Sequence, residues 1–376
     1  MIYLDYNAST PVDQSVQEVM GPYGGRFYGN PSSGHAMGRP IREAIEKART
    51  QVAAFLGALP EEIVFTSGGT EANNYVIKGV ASKLRDRGRH IITSQIEHPA
   101  VLSPCRHLEE LGWEVSYVGV DSSGRVDPHE VAGEVRPTTI LISIMHANNE
   151  VGTFQPVAGI AEIARAGGVL FHTDAAQSCG KVETNVKELG VDFLSLAGHK
   201  LYAPQGIGAL YIRRGIEIEP LHHGAGHQAG RRAGTEPAAL IVGLGAAAEL
   251  ARRSPAAPRL TELRDRLWNG LQRALGDPVV LLGHPTNRLP NTLCVGFRGC
   301  IGGDLLAACP DICASTGAAC HSGKRERSAT LAAMNVPEEL AFGAVRFSVG
   351  RYTTEAEIDA AIEQITAVVL AERAAR

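Results

Sequence analysis

Four side chains in this sequence could carry covalent chemistry if folding gathered them: the amine of Lys200, the carboxylate of Asp174, the imidazole of His98 and the thiol of Cys320. Lys200 closes the string Ala197-Gly-His-Lys200, directly behind an apolar run at 193–196. A lysine after a strand is ordinarily a solvated surface group. Small neighbours, however, leave room for a bulky electrophile beside this amine, and an amine freed of its proton attacks carbonyl carbon. Asp174 ends another apolar run, Gly168-Val-Leu-Phe-His-Thr173. Capping the next helix would be its commoner role. With Lys200 presented by the following strand, the pair could instead grip opposite ends of one flat ring. A carboxylate so placed keeps a pyridine nitrogen protonated and makes the ring an electron sink, which is what pyridoxal 5'-phosphate (PLP) requires of its protein. Lys181, just after Asp174, is the near rival of Lys200 for the cofactor.

The thiol lies far along the chain, in Ser315-Thr-Gly-Ala-Ala-Cys-His-Ser-Gly323, ahead of Lys324-Arg-Glu-Arg327. Small residues let such a loop approach a ring, and the cationic tract with His321 favours the thiolate, the nucleophilic form of cysteine. For Cys179, Cys294 and Cys309 a place in the core is the stronger reading. Cys309 and Cys313 suggest a metal pair, but no second pair or histidine cluster completes a site, so no metal is expected. The segment Phe65-Thr-Ser-Gly-Gly-Thr-Glu-Ala-Asn73 can bring backbone N–H groups, those of Gly69 and Thr70 among them, up to an anion at a helix N-terminus. It lacks the Gly-Lys-Ser/Thr ending of a P-loop and the three-glycine spacing of a dinucleotide fingerprint. By itself it could equally be a tight strand-to-helix turn.

These groups need elements to hold them. Apolar, β-branched runs at 63–65, 91–93, 115–120, 139–145, 169–171, 193–196 and 209–212 alternate with helical patterns, which predicts a mostly parallel sheet covered by helices on both faces. Ligands bind such sheets at the carboxyl ends of the strands. There the polar clusters fall: 66–71, His98, 146–150, Asp174 with Gln177, and 198–200. Arg252-Arg-Ser-Pro-Ala-Ala-Pro258, following an Ala-rich helix, is the expected domain boundary. Beyond it come a helix near 260–275, strands at 279–282 and 292–297, and a final helix over 355–374.

Composition narrows the class. The chain has 376 residues, 44% hydrophobic and 20% charged, as in a globular protein large enough for one big domain and a smaller one. A formal charge of −4 without long basic runs gives no reason to expect nucleic acid or an anionic membrane as partner, and the patch at 85–89 reads as a solvated helix end. No stretch approaches the length of a membrane span, and residues 1–5 do not look like a secretion signal, so the expected location is the cytoplasm. Seven scattered cysteines are expected to be free thiols in that reducing compartment.

Taken in order, Tyr3-Leu-Asp-Tyr-Asn7, Gly29-Asn-Pro-Ser-Ser33, Thr66 to Asn73, Glu97-His-Pro99, His146 to Gly152, His172 to Gln177, Gly198-His-Lys200, Arg232-Ala-Gly-Thr235, Gly317-Ala-Ala-Cys320 and Arg346-Phe-Ser-Val-Gly350 give the chain a close resemblance to the cysteine desulfurases of the class V aminotransferase group of PLP enzymes, and to their branch the selenocysteine lyases. The resemblance runs nearly end to end. It implies the α/β PLP-dependent transferase fold (fold type I), with a large domain over 13–252 built on a mostly parallel seven-stranded sheet. A smaller α+β domain would comprise 1–12 and 253–376 and carry the cysteine loop at about 315–328. It assigns Lys200 the covalent link to PLP and the α-proton shuttle, His98 stacking on the ring and help with proton transfer, and Asp174 the ring nitrogen. Gln177 would bond the ring hydroxyl, and Gly69, Thr70 and His199 the phosphate. Asn149 and Arg346 would hold the substrate carboxylate, Arg346 by a bidentate pair that a lysine could not reproduce. Thr235 would reach the phosphate of a second copy, which implies a homodimer.

The implied reaction converts L-cysteine to L-alanine and leaves the sulfur on Cys320 as a persulfide, which needs a sulfur-acceptor protein or a small thiol. The string Gly317 to Ser322 looks more like the selenocysteine lyases, which keeps L-selenocysteine as an alternative substrate. An aminotransferase would have no use for Cys320, and a catalytically dead sulfur-relay scaffold would tolerate loss of Lys200. One departure stands out: the family often has serine before Gly-His-Lys, and this chain has Ala197, removing one phosphate hydrogen bond worth about 1 kcal/mol.

Overall fold

The computed structural model describes residues 1–316, 318–321 and 324–374, the side chains of 318–321 and 324–326 excepted. A two-residue strand, β1 (Ile2–Tyr3), opens the chain. A seven-stranded sheet follows, made of β2 (Ile63–Thr66), β3 (His90–Ser94), β4 (Glu114–Val118), β5 (Thr139–Ser143), β6 (Leu170–Asp174), β7 (Phe193–Ala197) and β8 (Gly208–Ile212). Its order is β2-β8-β7-β6-β5-β3-β4. The ladders joining β4, β3, β5, β6 and β7 are parallel, while β8 runs antiparallel to both β7 and β2.

Strands such as β3 and β5 are buried at every position, which is why Ile91-Ile92 and Ile140-Leu141-Ile142 read as consecutive apolar residues and not as alternating ones. On one face the sheet packs against Ile41, Ile45, Val52 and Leu56 of the helix Arg39–Leu56 and Leu244 of the helix Ala238–Arg253. On the other it meets Tyr75, Val76 and Val80 of the helix Gly69–Leu84, with Val101 and Leu108 of the helix Pro99–Glu110. Two strands end sooner than their apolar runs. The run over 139–145 leaves the ladder after Ser143, and Met145 N donates to the Glu97 carboxyl oxygen Oε1 at 2.9 Å.

After the helix Ala257–Leu275 come β9 (Val279–Leu282), β10 (Thr292–Phe297), β11 (Ile312–Cys313), β12 (Ser315–Thr316), the hairpin of β13 (Ala318–His321) with β14 (Lys324–Arg327), β15 (Ala344–Ser348) and the helix Glu355–Ala374. A smaller antiparallel sheet runs β12-β15-β10-β9. Its core joins Leu267, Phe297, Phe347 and Ile358 to Leu4 from the chain start, and β1 pairs in parallel with β11. The N-terminal residues thus pack with the C-terminal ones. No helix among the described residues is long and apolar enough to cross a membrane.

Candidate active site

At the carboxyl ends of the parallel strands lies a cavity of about 270 Å³. Of the residues singled out in the sequence, Gly69, Thr70, His98, Asn149, Asp174, Gln177, His199, Lys200 and Arg346 line it. Thr235 does not; it is exposed, in the loop before the helix Ala238–Arg253. The Cys320 side chain lies outside the described residues.

Each strand delivers its group by a short excursion. After β2 the backbone passes Gly68 at φ +150°, a region closed to side-chain-bearing residues, and starts a helix at Gly69. A Cβ on Gly208 would stand 2.7 Å from Gly68 Cα, so this turn can lie against β8 only with glycine there. After β7 a single turn, Gly198–Lys200, carries His199 and Lys200. The N-terminal segment clamps that turn. Thr10 N and Thr10 Oγ1 both donate to His199 O, at 2.8 and 3.0 Å, and Tyr202 N donates to Thr10 Oγ1 at 2.9 Å. Tyr202, two residues after Lys200, is thereby held at φ +62°, an unfavourable conformation for a bulky residue.

The electrostatics suit an amine that must react. Burial, above all, lowers the Lys200 pKa; Asp174 opposes this, and Arg346 adds to it. The Asp174 carboxylate is fixed by Asn73 Nδ2 at 2.7 Å and Ala176 N at 2.9 Å. Burial also lowers the His98 pKa, with Lys200 acting the same way and Asp174 against it, so the imidazole is neutral at pH 7. His98 Nδ1 accepts from Ala100 N at 3.1 Å, which assigns the proton to Nε2. For His199 too burial comes first and Lys200 second in lowering the pKa. Arg346 is partly engaged: Nη1 donates to Asn149 O at 3.0 Å, and Nη2 to Asp5 Oδ1 at 2.7 Å and Ser315 Oγ at 3.0 Å, while Nε is buried without a partner among the described residues. A carboxylate seeking two donors here would compete with Asp5 and Ser315.

The other candidates separate. Lys181 is buried off the cavity, donating to Asn7 Oδ1 at 2.8 Å and Gln177 Oε1 at 3.0 Å. Cys179, Cys294 and Cys309 are buried, and burial pushes the first two thiols up to about 12 and the third upward, so all three are poor nucleophiles. Three contributors escaped the sequence reading of roles: Asn7, Asn73 and Thr10. Asn7 and Asn73 end the strings Tyr3-Leu-Asp-Tyr-Asn7 and Thr66 to Asn73, which is the available signal, but nothing local tells what they touch.

The donor set fits PLP. A ring with an acidic nitrogen partner needs Asp174, and a phosphate needs N–H groups such as those opening the helix at Gly69 and Thr70. Asn73 Oδ1 is buried with no hydrogen-bond partner, on a residue that lines the cavity, so one acceptor is left for a ligand group. Ala197 also lines the cavity, its Cβ 3.4 Å from the point where a Cβ on Gly69 would stand, so the two positions lie side by side at the cradle.

Comparison with known proteins agrees with this chemistry. The family model for aminotransferase class V matches residues 2–361. Cysteine desulfurase IscS of Dictyoglomus turgidum is 47% identical over 372 residues, 98% of this chain and 94% of the relative. Among solved structures, a NifS-like protein superposes with a TM-score of 0.92 at 39% identity, over 98% of this chain and 99% of the other. SspA in complex with cysteine gives 0.83 at 38% identity, over 94% of this chain and all of the other.

Proposed function

We propose, from the premise that the chain belongs to the class V aminotransferase family, that it is a PLP-dependent cysteine desulfurase. Bound through Lys200, PLP supplies an electron sink that loosens the bonds at the substrate's α-carbon and so makes carbon–sulfur cleavage possible. The protein does the rest. Gly69, Thr70 and His199 would hold the phosphate, Asp174 the ring nitrogen and Gln177 the ring oxygen. Asn149 and Arg346 would take the carboxylate of L-cysteine. Lys200, its basicity lowered by burial, would accept the α-proton, with neutral His98 over the ring assisting. The Cys320 thiolate would attack the substrate sulfur, so that a sulfur–sulfur bond forms as the carbon–sulfur bond breaks. L-cysteine and the Cys320 thiol become L-alanine and a persulfide, which passes to an acceptor protein or small thiol. The observation that carries the reading is the meeting of Lys200, Asp174 and His98 in one cavity beside a helix N-terminus.

Protein supplied with PLP and L-cysteine, and no keto acid, is expected to form alanine. Lys200→Ala should abolish turnover, and Cys320→Ala should keep the bound cofactor while losing the persulfide. Alanine formation that depends on a keto acid would point to an aminotransferase. The string Gly317 to Ser322 favours a second reading, selenocysteine lyase; near-silence with L-cysteine and turnover of L-selenocysteine would establish it.

Three further features are part of the proposal. The division into 13–252 and 1–12 with 253–376 is supported by the separate core around Leu267, Phe297 and Leu4. A homodimer is supported by the exposure of Thr235 away from the cavity of its own chain. A cytoplasmic location follows from a thiol that must stay reduced between turnovers.

A further inference from the structure

Lys181 is 7% exposed and has no carboxylate partner among the described residues. Burial, then the charges of Lys200 and Arg346, depress its pKa. A group that is costly to bury needs a use, and its two hydrogen bonds indicate one. Both go to amide oxygens at the edge of the cavity, Asn7 Oδ1 and Gln177 Oε1. Gln177 Nε2 in turn donates to Asn7 O at 3.1 Å. The Gln177 amide is therefore fixed at both ends, its carbonyl by an amine and one N–H by a backbone oxygen, so it cannot turn over. Its second N–H is left for the cavity that Gln177 lines. Asn7 is as firmly set. Its Oδ1 also accepts from Asn291 Nδ2 at 3.0 Å, and its Nδ2 donates to Thr292 Oγ1 at 2.8 Å.

We propose that Lys181 is a positioning residue that locks the Gln177 carboxamide with an N–H, and not the carbonyl, toward the ring oxygen of the cofactor. This role rests on the PLP reading of the site given above. A released amide could turn its carbonyl to that oxygen, exchanging a hydrogen bond for repulsion between two acceptors.

The test is a pH titration of the visible absorbance of PLP-loaded protein, for wild type, Lys181→Met, Gln177→Leu and the double variant. A donor to the ring oxygen stabilises its negative charge once the neighbouring proton has left, so losing the donor moves the colour transition to higher pH. Each single variant should shift it upward by about one pH unit, the scale of a hydrogen bond to a charged oxygen. The double variant should move no further than Gln177→Leu alone, because both changes remove the same contact. Lys181→Arg, which keeps donors, should lie nearer to wild type, and Lys181→Leu replaces the methionine variant if that one does not fold. Additive shifts would mean that Lys181 acts on the cofactor directly through its charge, which overturns the lock. So would an unmoved transition in either single variant. A wild-type protein that takes up no PLP sinks the reading of the site itself, and the lock with it.

Discussion

Asp174 and Asn73 form the tightest polar pair in the cavity, and most of what Asp174 can do for a ring nitrogen depends on being held. Without the 2.7 Å bond from Asn73 Nδ2, one carboxylate oxygen loses its protein donor and the side chain gains freedom to rotate. The expected consequence of Asn73→Leu, which is close in size, is PLP affinity lower by about tenfold, the value of one hydrogen bond to a charged group. Equilibrium dialysis against PLP checks it; unchanged affinity would mean that Ala176 N alone suffices to hold Asp174. His98 carries a pH prediction. Its lowered pKa means that the imidazole gains its proton only below the ordinary histidine range, so the acid limb of the rate should fall below pH 6.5 and should disappear in His98→Gln. Lys200, Asp174 and His98 were legible from residue type and position after apolar runs. Asn73 and Lys181 were not, because their partners stand 101 and 174 positions away and only the fold brings them together.

Within the large sheet, two histidines act as polar rungs between strands. His172 on β6 bridges Ser143 on β5 and Ser195 on β7, at 2.8 and 3.0 Å, and His90 on β3 bridges Thr139 on β5 and Ser116 on β4, at 2.7 and 3.0 Å. Burial lowers both pKa values, that of His172 to about 4 with Asp174 opposing. An unfolded chain takes up the proton near 6.5, before the folded one does, so the contribution of His172 is intact above that value and is lost as pH falls from 6.5 toward 4. The full loss is on the order of 3 kcal/mol. Glu97 works in the opposite sense. Burial raises its carboxyl from the ordinary 4.5 to about 8, so its contribution is fully present below 4.5 and is lost as pH rises from there through about 8. Because the two trends oppose one another below pH 6.5, the test is a difference between variants: in thermal unfolding from pH 7 to 4.5, His172→Gln, still able to bridge both serines, should gain stability relative to wild type as pH falls. A difference that does not change with pH would remove His172 as the cause. Strands such as β3 and β5 were legible because burial on both faces leaves consecutive apolar residues at their centres, with the polar rungs at single positions. β15 was missed because its middle residue, half-buried Arg346, breaks that run to serve the cavity, and β1, β11 and β12 are too short to have a period.

Across the whole molecule, the proposed homodimer turns on where Thr235 acts. Ala197 adds no hydroxyl, and Thr235 is exposed outside the cavity of its own chain. Yet the loop holding Thr235 is anchored beside the cradle. Arg232 grips Glu71 in the first turn of the helix Gly69–Leu84 with bonds of 2.8 and 3.2 Å, and Tyr75 OH donates to Arg231 O at 2.6 Å. The loop is therefore rigid at its base and presents its threonine outward, as a donor for a neighbour would be presented. If two chains complete each other's phosphate sites, PLP binding and dimerisation must strengthen one another equally. Dilution of the holoprotein should release cofactor, and added PLP should tighten the dimer, both measurable by sedimentation with absorbance detection. Thr235→Ala should weaken PLP binding by about tenfold. A mixed dimer decides where the hydroxyl acts. Pairing a Thr235→Ala chain with a Lys200→Ala chain leaves one site with its own Lys200 and a threonine supplied from across the interface, and that site should bind PLP as tightly as wild type. Were Thr235 to serve its own chain, the mixed dimer would bind no better than Thr235→Ala alone.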